Sequence, residues 1–203
     1  MEENKLVEKT HIITIAGKPG SGKSSTAKLL AQQLGYDHFS SGDLFREIAR
    51  SRGQNVKQAN LDAEGKQLDE DNIDEMVDRR LREIGQTENN KVIDSRTAWH
   101  WMPNSFKVFI DLDLIIASKR IIAAMEHDDV AGNRNEHIPE SLEDYAHELG
   151  ERLASETRRY EQQYDINPYD MTNYDYVIDS GKNSLDQVVE KVIAAYTAWQ
   201  DKL

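Results

Sequence analysis

Two spacings of apolar residues alternate along the chain and predict its elements. Short runs rich in β-branched and aromatic residues fit buried strands, and they occur at residues 11–16, 36–40, 91–94, 106–111 and 174–179. Apolar residues three and four positions apart predict amphipathic helices after the first strand, from Ser41, over 56–84, over 113–125, over 141–164 and from Ser184 onward. This alternation favours an α/β fold whose mostly parallel sheet is covered on both faces and binds ligands at the carboxyl ends of its strands.

Residues at the ends of the helical segments support these boundaries. Gly35 is typical of a helix stop. Ser184 and Gln187 have the spacing of a capping box at the start of the last helix. Polar residues over 128–139 predict a loop between two helices.

A glycine-rich segment between the first strand and the first helix matches the pattern G-x-x-x-x-G-K-[ST] at every fixed position. It comprises Gly17, Lys18, Pro19, Gly20, Ser21, Gly22, Lys23 and Ser24, and Ser25 adjoins it. Its glycines let the backbone turn tightly and bring successive N–H groups close to phosphate oxygens at the positive end of the helix. Lys23 is expected to reach the β- and γ-phosphates, and Ser24 to offer its hydroxyl to Mg²⁺. Residues 17–25 are therefore predicted to bind ATP.

Composition narrows the class of protein. With 203 residues the chain suits a single α/β domain. Its formal net charge of −12 does not predict a broad basic surface for nucleic acid or anionic lipid. The absence of cysteine excludes disulfides and thiolate sites. The first residues do not resemble a secretory signal, and no apolar run reaches membrane-spanning length. We expect a soluble cytoplasmic protein in which an anionic nucleotide is held by local arginine and lysine side chains.

Two arginines and one aspartate lie at or just beyond the ends of the second and third strands. A parallel sheet of this kind binds its ligand at these carboxyl ends. Arg46 lies one turn into the helix after the second strand, and Arg96 lies two residues beyond the third strand. A planar guanidinium group suits bidentate binding of phosphate. Asp94, at the end of the third strand, either holds Mg²⁺ through water or caps the next turn.

The long helix over 141–164 supplies a further pair of arginines. At about 100° per residue, Arg152, Glu156 and Arg159 lie together on one flank of the apolar stripe. Arg158 falls roughly on the opposite side and is expected to face water. Arg152 and Arg159 can therefore face a cleft, although a solvated row of salt bridges has the same spacing.

These motifs occur in the order found in nucleoside monophosphate kinases, and the chain most resembles the cytidylate kinases, especially their short archaeal-type branch. The resemblance rests on residues 17–24, 40–47, 93–96 and 151–160 and extends over nearly the whole chain. It implies a P-loop NTPase fold with three layers, α/β/α, and a five-stranded parallel sheet. It also implies one kinase domain over 1–203, with a helical monophosphate-binding lobe at about 41–88 and a lid at about 126–160.

The resemblance assigns roles by position. Arg152, Glu156 and Arg159 match a row of arginine, acid and arginine whose members contact the acceptor and the transferred phosphoryl group. Asn104 stands near a place where bacterial relatives carry an acid that reads the cytosine edge, and its amide can still donate and accept hydrogen bonds. The residues predicted to bind the acceptor are Ser41, Arg46, Arg96, Asn104, Arg152, Glu156 and Arg159.

The lid is poorer in arginine than the family usually shows. Its predicted loop contains Arg134 as the sole arginine. Closure over the phosphates is therefore expected to depend more on Arg152 and Arg159.

The predicted reaction is direct in-line transfer of the γ-phosphoryl group from Mg-ATP to a pyrimidine monophosphate, CMP or dCMP. An acceptor phosphate oxygen is already a nucleophile, so no enzymatic base is assigned. Lys23, Arg152 and Arg159 are the predicted catalytic residues, and Ser24 and Asp94 the predicted metal ligands. ATP and Mg²⁺ are the expected cofactors. Small nucleotides are the expected partners of a monomer, rather than nucleic acid or membranes.

Two alternatives stay open at the level of sequence. The acceptor could be AMP, UMP or a non-nucleotide such as a sugar or a shikimate-type metabolite. A different class of protein, a switch that hydrolyses ATP slowly and acts through a protein partner, would also use the glycine-rich segment. The paired arginines of the long helix argue against the switch.

Overall fold

A computed structural model describes residues 11–54, 72–127 and 141–202. The strands are β1 (Ile12–Gly17), β2 (Asp37–Ser40), β3 (Lys91–Asp94), β4 (Phe106–Asp111) and β5 (Tyr176–Asp179). The helices are α1 (Lys23–Leu34), α2 (Ser41–Ser51), α3 (Ile73–Thr87), α4 (Ala98–Trp101), α5 (Leu114–His127), α6 (Leu142–Tyr164) and α7 (Leu185–Gln200). A 3-10 turn spans Met171–Asn173.

The five strands form one sheet in the order β2-β3-β1-β4-β5, and every neighbouring pair is parallel. The register aligns Ile15 of β1 with Asp94 of β3, and Gly17 of β1 with Ile110 of β4. The carboxyl ends of the three central strands therefore meet at one edge of the sheet. The glycine-rich loop, residues 17–24, leaves the sheet from the centre of that edge.

Helices cover both faces of the sheet. On one face, α1 and α7 pack over a core that includes Leu30, Val108 and Val189. On the other face, α2, α3 and α4 pack over a core that includes Leu81 and Ile93. A smaller buried cluster joins α5 to α6. The predicted three-layer α/β/α fold with a five-stranded parallel sheet is confirmed.

The element boundaries agree closely with the sequence prediction. The bounds of β3 and β4 are those predicted, and the other strands differ by one or two residues at an end. Gly35, with a φ of 66°, ends α1, and the capping box of Ser184 and Gln187 begins α7. Two elements were not predicted: α4, directly after Arg96, and the 3-10 turn before β5.

The strand β2 passes into α2 without a loop. Ser40 is the last residue of β2 and the N-cap of α2, and its hydroxyl accepts a hydrogen bond from the Asp43 N–H at 3.2 Å. This cap fixes Ser41, Gly42 and Arg46 at the carboxyl edge of the sheet.

Parts of the predicted lobe and lid lie outside the described residues, namely 55–71 and 128–140, the latter including Arg134. Within the described part, α3 belongs to the predicted lobe and α6 to the predicted lid. Among the helices of the three described ranges, we find none with the length and hydropathy needed to span a bilayer.

Candidate active site

The glycine-rich loop is shaped by two glycines in the left-handed region and by close contact with β4. Gly20 has a φ of 71° and Gly22 a φ of 83°, conformations that an L side chain disfavours. A Cβ on Gly17 would lie 2.5 Å from the Ile110 carbonyl oxygen. The Lys18 N–H donates to that same carbonyl at 3.3 Å. The loop is therefore held against the sheet by backbone contacts.

The loop leads into the amino end of α1. Gly22 is the N-cap of this helix and has no side chain that could accept from its first N–H groups. Those N–H groups, with the positive end of the helix dipole, are therefore available to an anion. The predicted function of residues 17–25 as a phosphate cradle fits this geometry.

Lys23 and Asp94 form an ion pair across the carboxyl edge of the sheet. Lys23 lies at the start of α1, and Asp94 is the last residue of β3 with 1% of its surface exposed. Burial, together with the positive charges of Arg96 and Arg46, lowers the pKa of Lys23. The negative charge of Asp43 opposes that shift in the pKa of Lys23, because a nearby negative charge favours the ammonium form.

Asp94 also has the chemistry of a metal ligand. Its two carboxylate oxygens are buried, and Oδ1 faces the Lys23 ammonium group. Ser24 lines the same cavity as Asp94. Hydroxyl and carboxylate oxygens are the ligands that Mg²⁺ prefers, so the donor set at this edge fits that ion.

One cavity of about 320 Å³ lies above the loop. Residues 17–25 form one wall, and the opposite wall comes from α2 and the end of β3. The predicted acceptor residues that line it are Ser41, Arg46 and Arg96. Ser40 and Gly42, which were not predicted, line it as well. The run from Ser40 to Arg46 could have suggested both residues, because all of them belong to one helix start.

A buried carboxylate connects this cavity to α6. Glu156 Oε2 lies 3.2 Å from Arg96 Nε, and Glu156 Oε1 lies 3.3 Å from Arg152 Nε. The Tyr169 hydroxyl donates to Oε2 of the same carboxylate. We call these four residues the Glu156 cluster. Burial opposes ionisation of Glu156, but Arg96, the Tyr169 hydroxyl and Arg152 together hold its pKa below the usual value.

The predicted orientation of the α6 arginines is observed only in part, since neither Arg152 nor Arg159 is among the residues that line the described cavity. Arg158 is exposed, as expected. Arg152 is half exposed and reaches the cavity wall through Glu156. Arg159 points toward α3, where its Nη1 donates to Asp74 Oδ2 at 3.2 Å, and its guanidinium lies over the Tyr160 ring. The structure thus brings Arg152 and Glu156 to Arg96, and Arg159 to the first turn of α3.

Asn104 lies elsewhere. It is an exposed residue in the turn just before β4. Phe106, two residues later, pairs with Ile13 near the amino end of β1. Asn104 is therefore at the opposite edge of the sheet from the cavity, and the prediction that it contacts the acceptor does not fit its position. The reason is α4, the unpredicted helix, since the chain crosses the sheet between Arg96 and Asn104.

A second buried carboxylate joins three helices beside the site. Asp78 of α3 accepts hydrogen bonds from Trp101 Nε1 at 3.0 Å, from Thr97 Oγ1 at 3.4 Å and from the Tyr164 hydroxyl. Burial raises the pKa of Asp78 to about 6. Sequence spacing gave no signal for this contact, because its members come from α3, α4 and α6.

Comparison with known proteins gives consistent matches. The profile of a family described as AAA domain matches residues 16–137. The cytidylate kinase of Natronomonas pharaonis is 34% identical over 197 residues, which cover 94% of this chain and 93% of that protein. The cytidylate kinase of Halobacterium salinarum is 35% identical over 192 residues, which cover 93% of this chain and 91% of that protein.

Solved structures agree on the fold. A shikimate kinase from Acinetobacter baumannii in complex with shikimate superimposes with a TM-score of 0.57 at 16% identity, covering 96% of this chain and 97% of that chain. At this identity the match supports the fold alone.

Proposed function

Since the chain belongs to the cytidylate kinase family, we propose that it transfers the γ-phosphoryl group of ATP to CMP or dCMP. One observation carries the proposal: a single cavity joins the glycine-rich loop and Lys23 to Ser41, Arg46 and Arg96. A phosphate cradle on one wall and guanidinium groups on the other are what a kinase with two phosphate-bearing substrates requires.

In the proposed reaction, residues 17–25 hold the triphosphate through backbone N–H groups, and Lys23 neutralises charge on the β- and γ-phosphates. An oxygen of the acceptor phosphate attacks the γ-phosphorus. A new P–O bond forms as the bond to the bridging β,γ-oxygen breaks, and ADP leaves with that oxygen. Since the acceptor oxygen is already anionic, no residue is assigned as a base.

We assign Ser24 and Asp94 as the residues that hold Mg²⁺ when it is bound. The ion would neutralise negative charge on the transferring phosphoryl group. The ion pair between Lys23 and Asp94 is the contact that would then be exchanged. Lys23 would turn from a carboxylate to the phosphates.

On the acceptor side, we propose that Ser41, Arg46 and Arg96 bind the monophosphate. We propose a lid at about 126–160 and a monophosphate-binding lobe at about 41–88. The lid would contribute three further residues to the acceptor side: Arg152, Glu156 and Arg159. What supports these roles is the contact of Glu156 with both Arg96 and Arg152. Arg159, now paired with Asp74, would reach the transferred group on closure.

We also propose that the enzyme acts as a monomer in the cytoplasm, where ATP and nucleoside monophosphates are both present. The cavity walls described above come from one chain. Size-exclusion chromatography with light scattering, with and without nucleotides, tests the monomer.

The experiment that tests the function is ADP release with one acceptor at a time: CMP, dCMP, UMP, AMP and shikimate. CMP or dCMP is expected to give the highest kcat/KM. A higher kcat/KM for AMP or shikimate would contradict the assigned acceptor but leave a kinase. ADP release that no acceptor accelerates would instead favour the ATP-hydrolysing switch.

A further inference from the structure

Tyr169 lies in the segment between α6 and β5, outside every motif in the sequence, yet it contacts the acceptor side of the cavity. Its hydroxyl donates to Glu156 Oε2, the same oxygen that faces Arg96 Nε at 3.2 Å. The other carboxylate oxygen faces Arg152. Two hydrogen-bond donors, the Tyr169 hydroxyl and Arg152 Nε, and the ion pair with Arg96 therefore hold one carboxylate on α6.

The orientation of Arg96 depends on this carboxylate. The contact with Glu156 is made through Nε of Arg96. Such a contact leaves the two terminal nitrogens available to bind a phosphate in a bidentate mode. A carboxylate held in one place therefore fixes the plane in which the guanidinium presents its fork. A carboxylate free to change rotamer would leave that plane undefined.

The backbone beside Tyr169 is linked to the sheet. The Tyr169 N–H donates to Asn167 Oδ1 at 2.9 Å, and the carbonyl of the preceding Pro168 accepts from the Tyr174 hydroxyl at 2.6 Å. The Tyr174 ring packs on Phe109 of β4, with centroids 5.0 Å apart. The hydroxyl of Tyr169 thus holds Glu156 relative to β4, across the space between the segment and the helix.

We propose that Tyr169 is a positioning residue for the acceptor: its hydroxyl locks the Glu156 carboxylate, and Glu156 in turn orients Arg96 toward the acceptor phosphate. This inference rests on the proposed function. Burial raises the pKa of the Tyr169 hydroxyl, which therefore stays protonated and able to donate. Removing the hydroxyl should weaken acceptor binding and leave ATP binding unchanged, because the hydroxyl bonds to Glu156 of α6, whereas residues 17–25 form the other wall of the cavity.

The test is Tyr169→Phe, which keeps the ring. The hydroxyl is bonded to Glu156 and also interacts directly with the Arg96 guanidinium. We therefore expect the KM for CMP, and its Kd by calorimetry, to rise about 5- to 20-fold, with the KM for ATP within about twofold of wild type. Tyr36→Phe is the matched control, because it removes a part-buried hydroxyl bonded to Tyr196 on the other side of the fold.

A double-mutant cycle separates positioning from general destabilisation. In a Glu156→Gln background, Tyr169→Phe should raise the Kd for CMP by a smaller factor than in wild type, because the contact with the Glu156 carboxylate is already lost. Equal effects of Tyr169→Phe in both backgrounds would overturn the inference. If Tyr169→Phe fails to fold, Asn167→Ala loosens the same tyrosine; an unchanged Kd for CMP in that variant would also overturn it.

The two proposals fail in different ways. Wild-type enzyme that phosphorylates CMP, with an unchanged Kd for CMP in Tyr169→Phe, overturns the positioning role alone. Wild-type enzyme that neither binds nor phosphorylates CMP overturns the proposed function, and the positioning role with it.

Discussion

The two walls of the cavity hold charge by different means. The glycine-rich loop uses backbone N–H groups at the start of α1, and its shape is set by Gly17 packed against β4 and by two glycines with positive φ. The opposite wall uses long side chains: Arg46 of α2 and Arg96, which follows β3. Glu156 of α6 pairs with Arg96. The charges of this wall are thus paired to carboxylates. One wall is fixed by the main chain and the other by ion pairs between elements.

This difference predicts how each wall responds to amino-acid substitutions. A phosphate site built from backbone N–H groups is lost when the main chain cannot come close to the phosphate. It needs no side chain from another element. An ion-paired wall depends on several side chains at once, so the loss of one charge leaves another buried without compensation. Four tests sharpen this comparison, beginning with the one expected to have the largest effect.

Lys23→Ala should nearly abolish transfer. Lys23 is the cation that the loop wall presents to the phosphates, and removing one such group typically lowers kcat by about 10²–10³-fold. Steady-state ADP release with CMP measures the effect. Lys28→Ala, an exposed lysine on the same helix, should leave kcat unchanged. Wild-type turnover in Lys23→Ala would mean that the triphosphate binds elsewhere.

Arg96→Ala should act chiefly on the acceptor. A charge-assisted hydrogen bond contributes about 1.5–3 kcal/mol, so the KM for CMP should rise about 10- to 100-fold while the KM for ATP changes little. Arg158→Ala is the control, because Arg158 is exposed on α6. An equal rise in both KM values would show that the two walls do not act separately.

The same substitution, glycine to alanine, can be made in each wall, at Gly17 and at Gly42. It compares how far one added methyl group destabilises each wall. A Cβ at Gly17 meets the Ile110 carbonyl oxygen at 2.5 Å, whereas a Cβ at Gly42 meets the flexible Arg46 guanidinium at 3.3 Å. We expect Gly17→Ala to lower the free energy of unfolding by about 1–3 kcal/mol. Gly42→Ala should leave it unchanged or raise it by up to about 1 kcal/mol, because Gly42 is in a helix. Urea denaturation measures both; equal losses would contradict the contrast.

Asp78→Asn tests how the side-chain wall is anchored. The raised pKa of Asp78, about 6, means that its ionisation opposes folding, so its contribution to stability is lost as pH rises through 6. Between about pH 5 and about pH 7.5, wild type should lose on the order of 1 kcal/mol of unfolding free energy relative to Asp78→Asn. Urea denaturation at both pH values measures this. Asp201→Asn, at an exposed position, should follow wild type, and an identical pH response in Asp78→Asn would refute the assignment.

The same contrast explains what the sequence could predict. The glycine-rich loop is contiguous, so its pattern, the strand before it and the helix after it were all visible in order. Arg46 and Arg96 were found because each lies close to a predicted strand end. Asn104 was misplaced, because α4 carries the chain across the sheet within a stretch too short to show a helical period.

Contacts between distant elements left no trace in the sequence. Tyr169 meets Glu156 only because the segment before β5 folds back along α6. Asp78 and Tyr164 are 86 residues apart, and no spacing rule connects them. The side-chain wall is therefore the part of the site that required coordinates.

The direct junction of β2 and α2 has a consequence for how fast the acceptor binds. Because Ser40 ends the strand and caps the helix, no loop separates the two elements, and we expect Ser41 to Arg46 to keep a fixed position relative to the sheet. The backbone of residues 41–46 then does not have to become ordered when a monophosphate binds. Binding therefore loses less conformational entropy. The encounter with this wall is expected to proceed at a rate set by diffusion and orientation, with any slow step confined to later closure.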